Sequence, residues 1–165
     1  MAQPSQPEKK PSKSTHLLWI IPLAIVGGIC LIGILAAVAI PAFLGYLKES
    51  KTVEARQNVR TLALTVQEHC ERTGALPGSA GPIPQSIPSS EAVIASFGTD
   101  PVFGELGFGP SGRLRYSYLI VPRGTEVHLR AVGDLDGDGV TSTYQITCRP
   151  DCSCDDELTI ENELE

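Results

Sequence analysis

Six residues, Asp134-Leu135-Asp136-Gly137-Asp138-Gly139, have the types and the spacing to hold a hard cation. Acids stand at positions 1, 3 and 5 of what reads as a calcium loop, with glycine at 6. Val140 could offer its carbonyl at position 7, and Ser142 its hydroxyl or a water at position 9. Gln145 falls at position 12, where such loops place a bidentate Glu. An amide oxygen ligates once and brings no charge, so weak calcium binding is expected. Three carboxylates in five residues repel one another unless a cation gathers them. The plain alternative is a solvated hairpin turn, since Asp-Gly favours tight turns by itself. So many protein carboxylates suit calcium better than magnesium, which keeps its waters.

The second set of chemistry-bearing residues is the five cysteines. Cys30 lies in an apolar run and reads as a small packing residue. Cys70, Cys148, Cys152 and Cys154 lie in the polar body and imply two disulfides, with three connectivities. Cys152 and Cys154 are too near to pair without strain. Cys70 is therefore expected on Cys152 or Cys154, with Cys148 taking the other, and the helix is tied to the C-terminal segment either way. A zinc site from Cys148, Cys152 and Cys154 with Cys70 or His69 is the rival reading. The C-x₃-C-x-C spacing departs from the usual paired C-x₂-C.

Catalysis finds little footing. His16, His69 and His128 are the histidines. His69 adjoins Cys70, and helical neighbours do not face each other. His128 alternates outward from the Val127/Leu129 face. No local nucleophile–base arrangement and no Gly-rich phosphate loop is legible, so a non-enzyme is expected.

The elements that position these residues begin with residues 17–40, LLWIIPLAIVGGICLIGILAAVAI. These 24 positions carry no charge and no Asn, Gln, Ser or Thr. As a helix they span about 36 Å against roughly 30 Å of hydrocarbon. Trp19 suits the headgroup level, and Pro22 falls near the start, where a missing N–H costs least. A cleavable signal has a shorter apolar core, so a retained anchor is expected. The flanks carry Lys9, Lys10 and Lys13 on one side and Lys48, Lys51, Arg56 and Arg60 on the other, so charge does not set the orientation. The chain's net charge is −6. Residues 42–165 hold 10 bases and 18 acids, and that excess argues against nucleic-acid binding.

Residues 1–15 are expected to be a disordered basic tail, which the resemblance described below would put on the cytoplasmic side. A transmembrane helix over 16–41 continues as an amphipathic helix over 42–73. There Val59, Leu62, Ala63, Val66 and Cys70 form one apolar stripe and Gly74 follows the end. Residues 74–112 form a loop region rich in Pro and Gly, with a short helical patch after Ser90 (EAVIASFG). Residues 113–165 are expected to hold an antiparallel sheet with the acidic loop and the Cys-rich C-terminus. Its strands fall at Arg115–Val121, Glu126–Val132 and Ser142–Cys148, with a turn at Pro122–Thr125. The last residues, DDELTIENELE, read as a solvated tail or an edge strand. The fold class is α+β: a long N-terminal helix packed on a small antiparallel β-sheet.

The run Gly33-Ile34-Leu35-Ala36-Ala37-Val38-Ala39-Ile40-Pro41-Ala42-Phe43 resembles the second half of the type IV pilin N-terminal segment. Residues 51–59, Lys51 to Val59, resemble the pilin helix as it leaves the membrane. Leu106-Gly107-Phe108, Arg115–Tyr118 and Gly133–Gly139 are similar to pilin-like proteins of that class. The resemblance implies a structural or accessory subunit of the type IV pilus or type II secretion pseudopilus kind. It implies a single-pass anchor in a bacterial inner membrane and a body in the periplasm or on a cell-surface filament. Its partners would be the membrane and other pilin-like subunits, met through the transmembrane helix. Pilins are cut after a Gly and carry a Glu a few residues into the apolar stretch; here Trp19 and Ala24 stand at those places. Retention of the N-terminal tail is the expectation that follows. The alternative is a calcium-binding periplasmic module on a pilin-type anchor, unrelated to filaments.

Overall fold

The computed structural model describes residues 15–163. The expected basic tail, Thr15 apart, lies outside them. The chain divides into two compact units, residues 1–44 and 45–165. One helix, α1 (Thr15–Thr73), runs through the boundary between them.

In the first unit α1 is long and apolar enough to cross a membrane by length and composition. Its large side chains are exposed, from Trp19 at 78% to Leu44 at 56%. Pro22 does not sit at the helix start. It lies two turns inside α1, and Pro41 is internal too, so each removes one i→i−4 hydrogen bond. Spanning helices tolerate this because their backbone readjusts locally.

The second unit is built on the amphipathic half of α1. Ala55, Val59, Leu62, Ala63, Val66 and Cys70 are buried at three- and four-residue spacing. All but Cys70 pack in one core with the inner face of an antiparallel sheet. Among the described residues that sheet has five strands in the order β1-β4-β5-β6-β7. These are β1 (Ala80–Ile83), β4 (Ser117–Arg123), β5 (Glu126–Gly133), β6 (Ser142–Cys148) and β7 (Thr159–Glu161). Alternation sets the inner face: Tyr118 and Ile120, Leu129 and Ala131, Tyr144 and Ile146 are all buried. Asn58 Nδ2 donates to Tyr118 Oη at 2.7 Å, which ties helix to sheet at mid-height.

Three expectations need correction. The loop region 74–112 contributes a strand: β1 pairs with β4, Ala80 facing Ile120 and Ile83 facing Tyr118. Its prolines hid it, and an edge strand is where proline is tolerated. Gly81 has φ +73, and a Cβ there would stand 2.4 Å from the Tyr118 carbonyl oxygen, so only glycine lets β1 approach so closely. The stretch after Ser90 is not helical. It holds β2 (Val93–Ile94), paired with β3 (Arg113–Leu114) in a two-stranded ribbon. Two adjacent β-branched residues suit a strand better than a short helix. The short helix is α2 (Pro101–Leu106), whose cap Asp100 accepts hydrogen bonds from the Val102 and Phe103 N–H groups. Asp followed by Pro at the first helical position is a helix-start signal in its own right. Finally, the β4–β5 turn is only Gly124-Thr125, since Pro122 and Arg123 pair with Val127 and Glu126. Phe97, Phe103, Phe108 and Tyr118 fill the core beneath α2 with edge-on and tilted ring contacts.

Candidate metal site

The acidic loop joins β5 to β6, which pair up to Gly133 opposite Ser142. Leu135, 3% exposed, pins it to the core, and Asp134 turns inward beside it at 8% exposure. The Asp134 carboxylate accepts from the Gly137 N–H at 2.7 Å and the Gly139 N–H at 3.1 Å. Both glycines have positive φ, 83° and 91°, and the loop curls around Asp134 because they can. Asp136 accepts from the Asp138 N–H, and Asp138 from the Val140 N–H. The Asp134 N–H itself donates to the Pro88 carbonyl at 3.2 Å.

Among the described residues this is the acidic or sulfur-bearing cluster with a metal-binding arrangement: one oxygen from each of Asp134, Asp136 and Asp138, all within 4.8 Å of one another. The triad could bind a metal ion, and oxygen-only donors suit a hard cation. The charge is not left uncompensated. Backbone N–H groups take several lone pairs, and Lys48 on α1 donates to Asp136 Oδ2 at 2.9 Å. That ammonium holds the Asp136 carboxyl below the usual carboxylate range. The sequence offered no sign of Lys48, because it lies 88 residues away.

The remaining expected ligands are placed differently. Val140 stays in the loop, exposed, with its N–H on Asp138. Ser142 is fully buried as the first residue of β6, and its hydroxyl donates to the Gly133 carbonyl. Gln145 lies three residues farther along β6, and its Oε1 accepts from Arg130 Nε at 2.6 Å. The cause is the element that follows. A strand rises about 3.3 Å per residue, so Gln145 is carried about 10 Å beyond Ser142 instead of returning to the loop.

Two disulfides close the other end of the body: Cys70–Cys152, with Cα atoms 5.5 Å apart, and Cys148–Cys154, with Cα atoms 4.0 Å apart. Of the two connectivities left open, this is the one adopted. It ties the last turn of α1 to the segment after β6. With all four sulfurs bonded, the zinc reading is withdrawn, because the thiolates a zinc site needs are consumed. Cys30 is free and exposed. Paired disulfides in a small body belong to an oxidising compartment.

Two histidines take unassuming places. His69 is buried at 8% exposure, its Nδ1 3.7 Å from Glu105 Oε1 on α2. His128 stands on the outer face of β5 opposite Thr147. A polar contact that the sequence did not reveal is Glu54 on α1. Its Oε1 accepts from the Arg115 N–H at 2.9 Å and from Tyr118 Oη at 3.3 Å. Burial pushes its carboxyl above the ordinary value, against the lowering effect of those bonds. The C-terminal strand is held in turn by Arg56 on Glu163 and by Tyr144 Oη donating to the Glu163 carbonyl. No protein-family model, no curated protein and no solved structure matches the chain.

Proposed function

We propose that this chain is a pilin-like structural or accessory subunit, anchored in a bacterial inner membrane with its disulfide-bonded body in the periplasm. The observation that carries the reading is α1. It is one 59-residue helix whose apolar part is bare, while its later turns bury a single stripe in an antiparallel sheet. A bare apolar helix of this length needs lipid or like helices around it. The two disulfides favour the oxidising side of the membrane. The resemblance of residues 33–43 and 51–59 to the pilin segment supplies the class.

The test is direct. Filaments sheared from cells and purified should contain the chain, and protease added to spheroplasts should degrade the body. A body that stays protected, with its cysteines reduced, would overturn the orientation. A body outside but absent from filaments would leave an accessory role.

A second reading rests on a different observation, the convergence of Asp134, Asp136 and Asp138. In it the body is a calcium-binding periplasmic module, the anchor serving only to hold it at the membrane. Calcium titration of the detergent-solubilised chain, followed by calorimetry, tests it.

A further inference from the structure

The two disulfides interleave. Cys70 joins Cys152 over 82 residues and Cys148 joins Cys154 over 6, so each bond encloses one partner of the other. The competing arrangement swaps two neighbours, giving Cys70–Cys154 with Cys148–Cys152. Chain entropy does not select against it. Closing four residues at Cys148 instead of six is favoured about twofold, in the wrong direction, and the long closure to Cys70 is indifferent to a shift of two.

What selects the native pairing is backbone structure around it. Cys148 and Cys154 face each other across an isolated antiparallel bridge. The Asp155 N–H donates to the Thr147 carbonyl at 2.9 Å, and the Arg149 N–H to the Ser153 carbonyl at 2.8 Å. Cys152 occupies the turn between them with φ +65. A non-glycine residue enters that left-handed region only against a steric clash of its Cβ, so the turn is not the default of the free chain. Once the body packs, Cys70 and Cys148 are fully buried. The swapped pair cannot keep that bridge or that packing, so its sulfurs stay open to attack, and its rearrangement runs at a rate set by the attacking thiolate.

We infer that this chain is a substrate of a thiol–disulfide isomerase, a partner recognised by its chemistry: an accessible thiolate of lowered pKa. The isomerase thiolate attacks the Cys154 sulfur of Cys70–Cys154, forming a mixed disulfide and releasing the Cys70 thiolate. Cys70 attacks the Cys152 sulfur of Cys148–Cys152 and releases the Cys148 thiolate. Cys148 attacks the Cys154 sulfur and returns the enzyme thiolate. Two disulfides enter and two leave, with no net oxidation. The inference depends on the two bonds and not on the filament reading.

The experiment uses the full chain carrying Cys30→Ala, so that the membrane-segment thiol takes no part. Reduced protein is refolded in detergent with reduced and oxidised glutathione, with or without catalytic protein disulfide isomerase. Bonds are trapped with acid and located by stepwise alkylation and fragment-ion sequencing. Glutathione alone should leave the swapped pair as a lasting fraction, and isomerase should convert it about tenfold faster or more. The Cys148→Ser/Cys154→Ser variant has one pair left, and its bond should form equally fast in both arms, whether or not the body then packs. Equal rates in both arms for the parent chain, no trapped Cys70–Cys154 species, or equal acceleration of the double variant would each overturn the inference.

Discussion

Lys48 Nζ and Asp136 Oδ2 meet at 2.9 Å, joining α1 to the loop between β5 and β6 across 88 residues of sequence. The ammonium thus occupies one outer oxygen of the triad that would bind a cation. Both side chains are about one-third exposed, so the pair itself adds little stability. Its consequence is competition.

Calcium should stabilise the detergent-solubilised chain by mass action, about 2.7 kcal/mol at a hundredfold excess over the dissociation constant. With three carboxylates and no bidentate Glu, that constant should lie near 10⁻⁴–10⁻³ M, roughly the extracellular-module range. Millimolar calcium should raise the melting temperature more than equal magnesium, and Asp136→Asn should remove most of the increment. Gln145→Glu should leave it unchanged, because residue 145 faces Arg130 and not the loop. Identical melting in calcium and in chelator would reduce the loop to a turn.

Lys48→Gln should leave the melting temperature without calcium nearly unchanged, because an exposed ion pair is screened by water. It should also strengthen the calcium response, since the competing cation is gone. A lowered carboxyl pKa contributes stability that is present above the unfolded value and lost as pH falls through the folded one. The small acid-side loss attributable to Asp136 should therefore disappear in Lys48→Gln, as seen in melting curves between pH 5 and the acid limit of folding.

Glu54 works in the opposite sense. Its raised pKa means that its contribution is complete below the unfolded value and is lost as pH rises through the folded one. Gln at 54 keeps an oxygen for the Arg115 N–H and Tyr118 Oη and avoids burying a charge. The melting temperature of Glu54→Gln relative to the parent should rise steadily from pH 4 to pH 7. A flat difference would mean that the carboxyl is ionised without penalty.

Leu62 is fully buried and Leu64, two positions on, is 67% exposed. Leu62→Ala should cost about 2–5 kcal/mol, while Leu64→Ala should stay within about 0.5 kcal/mol. Denaturant unfolding of both variants checks which face of α1 meets the sheet. Comparable losses would mean that the other face is covered as well.

Much of this body could be read from local chemistry. The spacing of Val59, Leu62, Ala63, Val66 and Cys70 marks a stripe that the structure buries, and alternation over Ser142–Cys148 marks a strand with those same bounds. Such periodicities follow from the geometry of the element itself and need no partner to be seen. Where two local rules compete, the reading fails. Prolines masked β1, an edge strand, and Ser90-Glu91 imitated a helix start ten residues before Asp100 supplied the real one.

By itself the sequence determined the α+β class, the apolar run long enough to cross a membrane, the acidic triad and the link from Cys70 to the C-terminal segment. Each follows from composition or from spacing within one segment. Only the tertiary structure decided that Lys48 sits on Asp136, that Gln145 belongs to Arg130, and that Cys70 takes Cys152 and leaves Cys154 for Cys148. Those choices depend on strand register and helix–sheet docking. A shift of one residue along a strand turns a side chain to the other face, and a shift of two carries it about 7 Å. No local pattern carries that information, because the partners lie on elements that meet only after folding.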